Sequence, residues 1–550
     1  MASLSKTVSD KLHLDFIGTV FGLIFFCLSF TPSLLPRGYV LQGVASGLSL
    51  ATGYGLGVIL SFFYHSISYR RRLKLTLLEK RIILSALLLV AIVFIIAGNH
   101  WQNQTSKITE AANPPAVYSL NVVIIACIVA LLLIWASRSA RRLGRFFGRI
   151  LRKILPEKIA VYGGGLLAAI LLVFLINGVL FKALFGLINY SFGLANKGTP
   201  DGIYQPQNGI YSGSPKSAID WNTLGEKGRE FVASGPSQAS IEKFAGAGKA
   251  TQPSRLYVGL ESAPTLNERV DLLVHELIRT HAENRKAILI AIPTGSGGIN
   301  GKSVESVEYL YHGDTTSMGI QYSFLPSWLS FLADQETARD NGKVLTNAVY
   351  DWWKQLPANH RPKLLMYGES LGSLGADGAF SGADDMQNKM NGVLLVGPPN
   401  SNQLREDLVE NRDPGTREVL PTYQQGNVVR FSDGFEPFIE PVDKPWGTNR
   451  VGILQNASDP VVWASTSLFL HKPDWLKEPR GSDVLPNMKW YPFVTAWQVG
   501  LDLPFAFSAT PGHGHRYGND LAQSWTSVLN MNLTQSQYEQ LQQIIDKVKG

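Results

Sequence analysis

Leu364-Leu365-Met366-Tyr367-Gly368-Glu369-Ser370-Leu371-Gly372 reads as a buried strand running into a G-x-S-x-G turn. In such a nucleophile elbow the serine sits at a strained backbone angle between strand and helix, its hydroxyl held up at the strand end. Glycines two positions either side are needed because a side chain at either place would collide with the neighbouring strand and helix. The pattern predicts acyl transfer through a serine ester, and a sheet able to carry the turn.

Working outward, short β-rich runs alternate with helical patterns. Strands are expected at Arg255–Leu260, Ala287–Pro293, Met318–Ser323, Lys363–Tyr367, Gly392–Val396 and Val451–Gln455. Helices are expected at Leu266–Arg279, Gly342–Lys354 and Leu374–Ala379. Strands that are apolar throughout and separated by helix-length segments argue for a parallel sheet covered on both faces. Residues Ala195–Ala218, rich in Gly, Pro, Ser and Asn, read as a linker. The long polar segment Arg405–Trp446 reads as a cap insertion.

A lone G-x-S-x-G is weak in a chain with 52 glycines; its context strengthens it. Behind this kind of elbow the partners follow in the order Ser, Asp or Glu, His. Asp459 lies just past the strand Val451–Gln455, where an acid can orient an imidazole and stabilise its charge. Beyond it stand His471, His513 and His515, the last two in Pro511-Gly512-His513-Gly514-His515-Arg516-Tyr517-Gly518. A histidine on such a loop can act as general base. Spacing does not choose between them, although His515 lies nearer the following helix. Zinc binding by the pair lacks a third ligand, and Asp459 also suits a simple helix cap or turn. Nothing in the chain predicts a metal or a cofactor.

The tetrahedral oxyanion needs donors, each worth about 2.7–4 kcal/mol. One is expected from the N–H of Leu371. The other is expected from the loop Thr294-Gly295-Ser296-Gly297-Gly298 after the strand Ala287–Pro293, with Thr294 and Gly295 as the donors. A phosphate loop is the rival there, but Gly297–Ser303 matches that pattern only loosely.

The first third of the chain is of another kind. Up to Tyr190 there are 19 Lys and Arg against 5 Asp and Glu, while the rest holds 31 against 38. The basic excess therefore belongs to an apolar region and does not argue for nucleic-acid binding. Both cysteines, Cys27 and Cys127, also lie there, so the remainder has no disulfide or thiol chemistry. Five stretches approach the roughly 20 residues needed to span a bilayer: Leu14–Phe30, Val40–Tyr64, Ile82–Ala97, Leu120–Ser137 and Ile159–Leu180. The last extends towards Phe192 as an interfacial helix. Basic residues cluster after the second stretch (Arg70 to Arg81) and after the fourth (Arg138 to Lys158). The positive-inside rule then puts the amino terminus in the cytoplasm and everything beyond Phe192 outside it. None of these stretches has an ionisable residue in its middle, which argues against a transporter or proton relay. Gly43-x-x-x-Gly47 and Gly53-x-x-x-Gly57 are close-packing signals. Thr31-Pro32-Ser33-Leu34-Leu35-Pro36-Arg37 reads as a short irregular connection.

Taken together, the chain resembles the bacterial integral-membrane α/β-hydrolase family. The resemblance is carried by Thr31–Arg37 with Leu41-Gln42-Gly43-Val44, and by Tyr257-Val258-Gly259-Leu260. Gln321–Ser330, Gly368–Gly372 and Gly512-His513-Gly514-His515 carry the rest. It implies an α-helical transmembrane bundle (residues 1–194) and a linker (195–218). An α/β-hydrolase domain (219–550), with a mostly parallel sheet and a cap at 405–446, would follow. It also implies an esterase-like serine hydrolase at a bacterial cytoplasmic membrane. In that reading Ser370 attacks an acyl carbonyl, His515 or His513 moves the proton, and Asp459 holds the imidazole. The expected substrate is a lipid or lipid-linked acyl ester beside the membrane lipids, with Phe324, Leu325 and Trp328 suited to lining a groove. An acyltransferase with the same triad and a non-catalytic membrane scaffold are the rivals. Substrate identity and oligomeric state are not written in the sequence.

Overall fold

The computed structural model describes residues 14–67, 75–111, 120–175, 178, 181–333, 335–434, 438–439, 441–518 and 520–548. The chain forms two compact units. One holds Met1–Leu187 together with Thr466–Leu476 and Val484–Phe505; the other holds Ile188–Ser465, Lys477–Asp483 and Ala506–Gly550.

The first unit is helical: α1 (Phe16–Leu28), α2 (Tyr39–Ile67), α3 (Leu77–Ile108), α4 (Leu120–Leu151) and α5 (Glu157–Val173). Among the described residues α2, α3 and α4 are long and apolar enough to cross a membrane. Two of the five expected spans fall short. Helix α1 has 13 residues, about 20 Å at 1.5 Å per residue, because the chain leaves the helix before the proline-bearing turn. Helix α5 has 17 residues, and part of the expected span beyond it (176–177 and 179–180) lies outside the described residues. The glycine pairs of α2 face different neighbours. A Cβ on Gly57 would lie 2.7 Å from Gly18 Cα in α1, and one on Gly47 would lie 2.8 Å from the Ala126 carbonyl in α4. Backbones approach this closely only where the side chain is absent.

Thr31–Arg37 is more than a connection. It forms a polar socket for the helix Val494–Ala506. The buried Asp502 carboxylate accepts from the Ser33 hydroxyl and from Leu34 N–H at 3.1 Å, and lies 3.4 Å from Arg37 Nε. One turn earlier Gln498 Nε2 donates to the carbonyls of Thr31 (2.8 Å) and Ser29 (3.1 Å). The buried pair yields a prediction. Asp502→Ala should lower stability by about 3–5 kcal/mol, because it removes the carboxylate that compensates the charge of a buried guanidinium. Adding Arg37→Met should recover much of that loss, as thermal unfolding of the full chain in detergent will show.

The second unit is built on seven parallel strands: β1 (Ser254–Val258), β2 (Ala287–Ile292), β3 (Thr315–Ile320), β4 (Lys363–Glu369), β5 (Gly392–Val396), β6 (Val429–Ser432) and β7 (Arg450–Leu454). Their order is β1-β3-β2-β4-β5-β7-β6. The strand interiors are buried on both faces, as a sheet covered by helices requires. Six strands coincide with expected ones. The seventh, β6, falls inside the expected cap at 405–446, so part of that segment is a sheet edge. Its four residues, Val-Arg-Phe-Ser, are too few and too polar for periodicity to reveal them. The order reverses between β2 and β4, and open parallel sheets place their sites at such a switch point, past the carboxyl ends of the strands.

Candidate active site

Ser370 follows β4 at the switch point with φ 55° and ψ −121°. A residue with a Cβ held there stores about 1–3 kcal/mol of strain, so its surroundings must fix it. The Ser370 N–H donates to the Val396 carbonyl of β5 at 2.8 Å, and its carbonyl accepts from the Ser373 hydroxyl at 2.6 Å. The helix Leu371–Asp377 then departs under close packing. A Cβ on Gly372 would lie 2.3 Å from the Ile292 carbonyl of β2, and one on Gly368 would lie 2.5 Å from the Gly372 carbonyl. Both glycines of the motif are therefore sterically required.

Asp459 follows β7 and does two things at once. Its Oδ1 accepts from Val461 N–H at 2.8 Å, capping the short helix Pro460–Trp463. Its Oδ2 accepts from His515 Nδ1 at 2.7 Å and from the Tyr517 hydroxyl at 2.8 Å. The cap and the acid are one residue using different oxygens. Since a carboxylate only accepts, the contact places the imidazole proton on Nδ1 and leaves Nε2 as the basic nitrogen. His515 Nε2 is buried without a hydrogen-bond partner. Burial alone would lower the His515 pKa, but the charge and hydrogen bond of Asp459, helped by Glu369, outweigh it and raise it above the ordinary histidine value.

The strand end at Val396–Gly397 links base and serine. Val396 takes the Ser370 N–H. Gly397 lies so close to the imidazole that a Cβ there would be 2.6 Å from His515 Cε1 and 2.9 Å from Nδ1. The ring packs edge-on against Phe507 and Tyr517, and its backbone N–H donates to the Ala506 carbonyl at 2.9 Å.

His513 has an acid of its own. Its Nδ1 lies 3.0 Å from Asp483 Oδ2, which also accepts from the Ser458 hydroxyl. The two imidazoles thus face separate carboxylates rather than one shared point. Asp483 is invisible to sequence reasoning, being one acid in an aperiodic loop. Ser458 and Tyr517 are adjacent or nearly so to residues already singled out, so proximity to Asp459 and His515 was the available signal. Beside the nucleophile, Glu369 Oε2 accepts from the Tyr367 hydroxyl at 2.5 Å and Asn300 Nδ2 at 2.9 Å.

Of the expected oxyanion donors, Leu371 opens its helix, where an N–H has no intrahelical acceptor. Thr294 is different: its N–H already donates to the Gly298 carbonyl at 2.9 Å, closing the loop on itself. That leaves Gly295 of the pair. A Cβ on Gly295 would lie 2.7 Å from the Leu325 carbonyl, so the loop packs tightly on Leu325–Ser330. Leu325 is buried and Phe324 half-buried; the side chain of Trp328 lies outside the described residues.

Residues 254–541 match the model of the alpha/beta-hydrolase family, and residues 30–236 match that of the alpha/beta-hydrolase family N-terminus. The chain belongs to the alpha/beta-hydrolase family. No curated protein and no solved structure matches it. The alpha/beta-hydrolase match begins at the first residue of β1 and takes in every strand, Ser370, Asp459, Asp483 and both histidines. The N-terminal match includes the Thr31–Arg37 socket. Membership supports a hydrolytic enzyme in general. The geometry makes a sharper prediction: Gly397→Ala, at φ 52°, should displace the imidazole, lower kcat about 100-fold and lower the melting temperature, as steady-state kinetics and thermal unfolding will show.

Proposed function

We propose that the protein is a membrane-anchored serine hydrolase of acyl esters, working through an acyl-enzyme on Ser370. The observation that carries this reading is the Asp459–His515 contact of 2.7 Å beside a serine held at a positive φ. His515 Nε2 removes the Ser370 hydroxyl proton as the oxygen attacks the acyl carbonyl. Asp459 fixes the tautomer and stabilises the imidazolium. Leu371 N–H and Gly295 N–H face the developing oxyanion. The imidazolium then protonates the departing alcohol, and water repeats the sequence to release the acid. A lipid or lipid-linked ester is the proposed substrate, because the same chain carries three helices suited to a membrane and the loop at Gly295 rests on Leu325.

Wild type should react with a fluorophosphonate probe and Ser370→Ala should not. Asp459→Asn and His515→Gln should slow labelling on the order of 10⁴-fold. Labelling that survives Ser370→Ala in folded protein would sink the enzyme reading.

We further propose that the hydrolase unit is extracytoplasmic. The basic residues that end α4 favour the cytoplasmic side, so this placement requires one more crossing within 159–180. A periplasm-active reporter fused after Gly550 should then be active, and a silent fusion would place the unit in the cytoplasm.

A further inference from the structure

We propose that Asp483, His513 and Ser458 are positioning residues that set the His515–Asp459 pair; this rests on the serine-hydrolase reading above. The loop bearing both histidines has glycines at 512 and 514, each at positive φ (90° and 55°). The loop closes on itself through Gly512 N–H to the Arg516 carbonyl at 2.8 Å and His513 N–H to the Thr510 carbonyl at 3.0 Å. The acid loop adds a grip on the peptide groups of Gly514 on both sides. The Gly514 N–H donates to Ser458 Oγ at 2.8 Å, and its carbonyl accepts from Asn456 Nδ2 at 2.9 Å.

Ser458 can accept from Gly514 in this way only if its own proton points elsewhere, and it points to Asp483 Oδ2. The same oxygen receives His513 Nδ1 at 3.0 Å. Two donors on one carboxylate oxygen orient both side chains through charge-assisted hydrogen bonds. Farther along, the Asn456 N–H donates to Tyr517 Oη at 2.9 Å, and Tyr517 donates to Asp459 Oδ2. These contacts link Asp483 to Asp459 through Ser458, Gly514, Asn456 and Tyr517, and Ser458, Asn456, Asp459 and Asp483 are fully buried. His515 is the residue next to the gripped glycine. A slip of Gly514 therefore moves the base against its acid.

The polar groups around His515 are Asp459, Tyr517 and Glu369; those around His513 are Asp483 and Asp520. Ser458→Ala removes none of these charges, so a change in the titration of His515 in that variant reports geometry. Since Asp459 holds the His515 pKa up, a looser pair would titrate at lower pH.

The test is hydrolysis of a short-chain p-nitrophenyl ester by the full chain in detergent. Ser458→Ala, Asp483→Asn and His513→Gln should each lower kcat about 10- to 100-fold, with KM within about twofold. In Ser458→Ala the acidic limb of kcat/KM should move to lower pH, and fluorophosphonate labelling should slow but still reach completion. If Ser458→Ala and Asp483→Asn melt like wild type and keep its kcat and pH profile, the positioning role is overturned. Asp483→Asn failing to fold would leave Ser458→Ala, which loses one buried hydroxyl, to decide. Full loss of labelling in His513→Gln but not in His515→Gln would exchange the two roles and also overturn it. Undiminished labelling of Ser370→Ala would instead remove the hydrolase reading itself.

Discussion

A single main-chain hydrogen bond, from Ser370 N–H to the Val396 carbonyl, makes the rest of the catalytic geometry possible. It holds a β-carbon-bearing residue in a region of backbone space that such residues avoid. The strain persists because relaxation is blocked on every side. Ile292 and the Gly372 carbonyl stand where side chains at 372 and 368 would need to be. Parallel pairing of β2, β4 and β5 puts those obstacles in register. The sheet is therefore the clamp that holds Ser370 at the carboxyl end of β4, and β5 serves as the common ruler for Ser370 and His515.

Much of this is written in local sequence. Short apolar runs bounded by turn residues give six strands, and an elbow needs only five residues to declare itself. Asp459 is legible because it follows a strand in the right order. Sequence does not choose between the two histidines because only tertiary structure gives each its carboxylate: Asp459 to His515 and Asp483 to His513. Thr294 illustrates a different limit. A glycine-rich loop advertises free amides, but the sequence does not show that one of them already bonds four residues ahead to Gly298. The short strand β6 is hidden for a related reason: its alternation, Val-Arg-Phe-Ser, covers only four residues.

The site also shows how few residues suffice when each uses more than one atom. Asp459 caps a helix with one oxygen and orients a base with the other. The Ser458 hydroxyl accepts from one loop and donates to another. Such sharing couples stability to chemistry, since the groups that keep the loops folded are the groups that aim the imidazole.

The Asp502–Arg37 pair carries a consequence for descent. Arg37 lies early in the chain, while Asp502 lies between Asp459 and His515. A gene split between the apolar third and the remainder would send the two halves of a buried ion pair into different polypeptides. Shuffling the remainder onto another amino-terminal segment would do the same. The two parts are thus bound to be inherited together, and variation in the Thr31–Arg37 socket should be answered by variation around Gln498 and Asp502.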